Sequence, residues 1–197
     1  MGILETAELL LKGSSLPDPC DYQYYKCLKE NKIIINEEIS DSLIELAVLP
    51  LMQMDEDPNV EHIDIILNTP GGEIYNGFAF VSALENVTTD TTLRIVGMAA
   101  SMGGLIAMAK NPHLKVVCDK FTVGLIHSGS QYMAGSAHAV RDTFKFSERY
   151  EEKIKQYILS HTNIDEEMYQ NIERQEFWMD ADDMLKYGIV DEILYTK

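Results

Sequence analysis

The sequence predicts an α/β domain organised around a mostly parallel sheet. Three observations carry this. Short runs rich in branched apolar residues recur as KIII, HIDIIL, TTLRIV and LKVV, and stretches with apolar residues at helical spacing lie between them. Gly and Pro punctuate the boundaries, as in TPGG and KYG. Strands alternating with helices require crossover connections, and crossovers join parallel strands.

Residues 1–30 include KGSSLPDP and lack sustained periodicity, so they read as an N-terminal arm or irregular cap, leaving 31–197 as a single domain. KIIIN (32–36) is the first strand. EEISDSLIELAVLPLMQM then sets Ile39, Leu43, Leu46 and Ala47 on one helical face, with Pro50 expected to bend or break that helix. HIDIILN (62–68) is a buried strand ending in the turn TPGG, and Ile74, Phe78, Val81 and Leu84 mark the helix after it. TTLRIVG is a strand, SMGGLIAMAK a helix, and LKVVCD and FTVGLIH are strands. A long charged helix runs from Ala137 to about Leu159, with Val140, Phe144, Ile154 and Ile158 at its apolar positions. Ile164, Met168 and Ile172 mark a shorter helix. A last helix, DADDMLKYG, is stopped by Gly188 before the strand IVDEIL.

At 197 residues the chain is long enough to bury a substantial core as one domain. With 46% hydrophobic and 24% charged residues it has an ordinary globular mixture, but 16 Lys+Arg against 32 Asp+Glu leave a net charge of −16. Such a surface repels phosphate backbones and anionic lipid, which counts against nucleic-acid and membrane-surface binding. The longest apolar stretch, Val96 to Ala109, is short of the ~20 residues a spanning helix needs. Cys20, Cys27 and Cys118 are an odd number without metal-ligand spacing, which fits a reducing compartment and predicts neither a disulfide framework nor a zinc site. The expectation is a cytoplasmic protein with no cofactor.

One octet raises a chemical question. GMAASMGG (97–104) isolates a single serine among residues with almost no side chain, directly after LRIV. A serine hydroxyl is a weak nucleophile near neutral pH, so it needs a base in hydrogen-bond reach, a group orienting that base, and donors aimed at the developing oxyanion. Ser101 stands where a strand gives way to a helix, which exposes the hydroxyl and leaves first-turn N–H groups unpaired. Gly71 and Gly72 can present backbone N–H groups without an obstructing Cβ. His127 closes an apolar strand, where α/β proteins keep reactive groups. Each has an ordinary structural reading as well: an N-cap serine, a tight turn, a structural histidine. The third member must be an acid, and among so many carboxylates composition selects none.

ILNTPGGEI, VGMAASMGG, GLIH and ADDMLKYGIVDEIL, in that order and spacing, closely resemble the ClpP-type serine peptidases, the proteolytic subunits of Clp proteases within the crotonase-like superfamily. The resemblance covers about 30–197. It implies a ClpP/crotonase-like α/β fold of repeated ββα-type units with a protruding long helix. It further implies Ser101 as nucleophile, His127 as general base, and Gly72 and Met102 as oxyanion-hole donors. Aligning Ala181 and Tyr187-Gly188 places Glu176 where the family usually carries an aspartate, with Asp180 and Asp182 as fallback acids. Ser128-Gly129 stands in place of the usual Gln-Pro, and Arg174-Gln175 departs from the pair that couples ring contact to the site.

The resemblance implies a serine endopeptidase acting on unfolded polypeptides. It also implies a homo-oligomer, a tetradecamer of two stacked rings, and an AAA+ unfoldase as the ATP-consuming partner. Two alternatives stand beside it: a crotonase-type acyl-CoA enzyme, which shares the two-amide oxyanion hole, and a non-catalytic ring subunit.

Overall fold

A computed structural model of the chain describes residues 19–130, 132–172 and 174–194, and residues 1–18 of the expected arm lie outside that range. One seven-stranded sheet organises the fold. Its main path runs β1 (Lys32–Ile35), β2 (His62–Thr69), β3 (Asp90–Ala100), β4 (Leu114–Asp119) and a final short strand, Glu192–Leu194, all parallel. Burial alternates along β2, so Ile63, Ile65 and Leu67 enter the core while the residues between them face outward. The helices cover one face, and the other carries pairs such as Arg94 with Asp119, 2.7 Å apart.

β3 is the element that builds the site. Its first half, Thr91–Ile95, pairs with β4, whereas Met98–Ala100 pairs with β5 (Val123–Ile126). The strand forks the sheet at Gly97 (φ +80°). The neighbouring β2–β3 ladder slips in register between Leu67 and Thr69, and Asn68 fills the break. Its side-chain oxygen accepts from Met98 N–H at 3.0 Å, and its amide donates to Asn36 at 2.7 Å. These bonds satisfy a backbone donor that the slipped ladder would leave unpaired. β5 then pairs antiparallel with β6 (Phe177–Asp180), with Ile126 opposite Phe177.

The helices follow the sequence reading with local differences. Residues 19–29, placed in the arm by composition, form α1 (Pro19–Lys29). The expected helix after β1 starts later than Glu37, because Ile39 is held in a bridge to Gly72. After a first helical step at Ser42-Leu43 it passes through a π-helical turn, Ile44–Val48, before α2 (Leu49–Glu56). Pro50 has no N–H to donate, and the Leu49 N–H to Ile44 carbonyl bond of the π-turn shifts the ladder so that the missing donor is absorbed at the start of α2. α3 (Ile74–Asn86) buries Phe80, Val81 and Leu84, and α4 (Met102–Ala107) is buried throughout. α5 (Ala137–His161) starts from the Ser136 N-cap, whose hydroxyl accepts from Ala139 N–H. At 25 residues it is about 37 Å long. Only Ser147 and Ile158 are buried on it, and its N-terminal half exposes Phe144 and Phe146. α6 (Glu166–Ile172), α7 (Ala181–Lys186) and the closing strand β7 (Glu192–Leu194) complete the chain.

Among the described residues no helix is long and apolar enough to cross a membrane, and no group of three or more His, Cys, Asp or Glu is placed to hold a metal ion. Cys27 and Cys118 are free and buried; the side chain of Cys20 lies outside the described residues. Burial, helped by Asp119 and Asp182, pushes the Cys118 thiol up to about 11. It therefore stays a protonated, unreactive thiol at mildly alkaline pH. Iodoacetamide treatment of the native protein should leave Cys118 unmodified by peptide mass mapping, while a urea-unfolded control is alkylated there. Labelling of native Cys118 at the control rate would contradict its burial.

Candidate active site

The fork in β3 explains how residues far apart in sequence meet. Ala100 is in parallel register with Leu125, and Ser101 N–H donates to the Leu125 carbonyl at 2.9 Å, so the end of β3 runs directly beside the end of β5. Position 101 is thus carried alongside positions 126–127. Ser101 Oγ and His127 Nε2 are 2.8 Å apart, a hydrogen bond. Ser101 takes φ +53° and ψ −119°, a left-handed conformation that costs a non-glycine residue about 1–3 kcal/mol. This strained strand-to-helix elbow lifts the hydroxyl clear of the backbone, and the small neighbours make the elbow possible. A Cβ on Gly104 would lie 2.9 Å from the Leu125 carbonyl oxygen, and one on Gly103 would lie 2.4 Å from Thr69 Cγ2.

The turn after β2 packs against the same elbow. Gly71 (φ +99°) sits so close that a Cβ there would meet Ala100 O and Ser101 Cβ at 2.6 Å. Thr69, itself buried, fixes the turn by accepting the Gly71 N–H at 3.1 Å. Ile39 braces it from the other side, donating to Gly71 O at 2.7 Å and accepting from Glu73 N–H at 2.8 Å. This bridge uses the groups flanking Gly72 and leaves the Gly72 N–H directed away from Ile39. Met102, the first residue of α4, has no intrahelical acceptor for its N–H. Two backbone donors, on the turn packed against the elbow and at the start of α4, are therefore left by this local bonding, the kind of group a developing oxyanion requires.

The acids are arranged differently. Carrying the β5–β6 register one residue past Ile126–Phe177 sets position 176 opposite position 127, where paired Cβ atoms lie about 5 Å apart. The Glu176 carboxylate nevertheless accepts from Trp178 Nε1–H at 2.9 Å. Among the described residues no carboxylate hydrogen-bonds His127. Asp180 lies opposite Val123, roughly 13 Å further along the ladder, and caps α7 by accepting from Asp183 N–H. Asp182 belongs to the first turn of α7. The structure thus brings Ser101 and His127 together beside the turn of Gly71-Gly72 and the start of α4 at Met102, leaves Glu176 just past the end of the β5–β6 ladder with its carboxylate on Trp178, and keeps Asp180 and Asp182 apart. Asn68, Thr69 and Trp178, which sequence reasoning passed over, hold the turn and the acid in place.

A cleft of about 140 Å³ opens beside the pair. Ile74, Leu105, Ile154, Ile158 and Ile172 line it, so the hydroxyl faces a largely apolar recess. α5 forms one wall, pinned where the Tyr157 hydroxyl donates to the Leu105 carbonyl at 3.1 Å. Burial, reinforced by Glu85, drives the Tyr157 phenol far above its ordinary value and keeps it a donor.

A strained serine at a strand-to-helix elbow, paired with an imidazole and flanked by unpaired backbone N–H groups, defines an α/β protein of the serine-hydrolase type. The comparisons narrow the class. The Clp protease family model matches residues 18–197, and the chain belongs to that family of serine peptidases. The ATP-dependent Clp protease proteolytic subunit of Carsonella ruddii is 30% identical over 175 residues, covering 88% of this chain and 89% of that protein. The subunit of the same name from Lactococcus lactis subsp. cremoris is 27% identical over 176 residues, covering 87% and 86%. ATP-dependent Clp protease proteolytic subunit 2 of Bacillus licheniformis is 28% identical over 171 residues, covering 87% and 90%.

Proposed function

We propose that this chain is the proteolytic subunit of an ATP-dependent Clp-type protease, cleaving unfolded polypeptides through an acyl-enzyme. The observation that carries this reading is the 2.8 Å bond between Ser101 Oγ and His127 Nε2 beside a glycine turn with a free N–H. Ser101 attacks the peptide carbonyl as His127 takes its proton, and the N–H groups of Gly72 and Met102 stabilise the oxyanion. His127 passes the proton to the departing amine, and water then repeats the sequence on the ester. Glu176, once its carboxylate turns from Trp178 to Nδ1 across the β5–β6 register, fixes the imidazole tautomer. The apolar cleft takes the side chain preceding the cut, and the substrate lies extended beside the segment after His127, where backbone bonds give low sequence preference.

The assembly belongs to the same proposal. Exposed Phe144 and Phe146 on the projecting half of α5 suit contact between stacked rings, a tetradecamer working in the cytoplasm with an AAA+ unfoldase.

A fluorophosphonate probe tests the chemistry. The wild-type protein should gain one adduct, mapped to Ser101, and lose peptide hydrolysis in proportion. Ser101→Ala should show neither. Absence of wild-type labelling would make the chain a non-catalytic member of its family, and a monomer by light scattering would remove the rings.

A further inference from the structure

Trp178 is the one tryptophan of the chain and is 51% exposed, an arrangement that core packing does not explain. It lies on β6, which among the described residues pairs only with β5. Carried one residue beyond its last rung, Ile126–Phe177, the β5–β6 register sets position 176 opposite position 127, and residues two apart in extended chain share a face, which puts Glu176 on the side of Trp178. On that register the carboxylate stands between two groups that could engage it, the indole N–H and the His127 ring. In this structure it is committed to the indole at 2.9 Å.

We propose that Trp178 is a positioning residue that holds Glu176 away from His127, so the serine–histidine pair rests without its orienting acid until that bond opens. The inference deepens the peptidase reading and rests on it. A carboxylate is a strong acceptor, so the competition is between two charge-assisted bonds, one to the indole and one to the imidazole. Events that move β6, such as a substrate chain or a second subunit laid against it, would shift the balance toward His127. Phenylalanine in place of Trp178 keeps an apolar ring and removes the donor. Because the side chain is half in solvent, that exchange leaves the core untouched.

Trp178→Phe should raise kcat for a short peptide by about threefold to tenfold with KM unchanged, and accelerate fluorophosphonate labelling by the same factor. Glu176→Gln in that background should cancel the gain. Tryptophan emission gives a second readout in the wild-type protein, since it reports on a single residue. Phosphonylation of Ser101 should change its intensity, and Glu176→Gln should abolish that change. Labelling and turnover in Trp178→Phe equal to or below wild type would overturn the latch alone, as would emission blind to phosphonylation. A wild-type protein that takes no label would overturn both the latch and the peptidase reading.

Discussion

Replacing His127 with alanine is expected to lower peptide turnover by about 10⁴-fold or more while the melting temperature stays within a few degrees of wild type. The reason is local. His127 hydrogen-bonds Ser101 and no carboxylate among the described residues, so its removal leaves no buried charge or broken network behind. Residual activity should come from the Gly72 and Met102 donors and from binding, neither of which deprotonates a serine. Measured kcat and phosphonate labelling, set against thermal unfolding, decide the point. Turnover within tenfold of wild type would remove His127 as the base.

The largest structural effect is expected from Gly71→Ala. The added Cβ would meet Ala100 O and Ser101 Cβ at 2.6 Å and Met102 N at 2.9 Å, all backbone or nearly so, at a φ of +99°. Positive-φ strain and overpacking together should cost about 3 kcal/mol or more and displace the elbow, abolishing labelling of Ser101. Gly129→Ala is the control. Its φ is +74° but none of the described residues lies within 4 Å of the added Cβ, so only the conformational cost of about 1–2 kcal/mol should appear in urea unfolding. Equal losses at the two positions would show that the turn does not press on Ser101 as described.

Much of this was legible in the sequence, for physical reasons. Strands that bury one face write their periodicity plainly, and HIDIIL and TTLRIV both became members of the main sheet. The Ser101 elbow was visible because an elbow needs small neighbours, and the place of His127 because it follows an apolar run at a strand end. What stayed hidden is short, polar or set by tertiary contact. β6 has four residues and buries only Met179, too little for a periodic signal. α1 buries only Cys27 among its described side chains, so no apolar stripe announced a helix. Asn68 bridges a register slip that exists only once β2 and β3 are paired. The Glu176 carboxylate is bound by the Trp178 indole N–H, a contact no spacing rule encodes.

β3 serves two masters. Its front half belongs to the broad sheet that anchors the molecule, while its last residues are joined to β5 by only three rungs, from Met98–Val123 to Ala100–Leu125. The hydrogen bond between Ser101 and His127 spans the end of that narrow seam. The proposed active site therefore hangs on three rungs, and prising the seam apart by an ångström or two would part serine from imidazole in a protein that still looks folded.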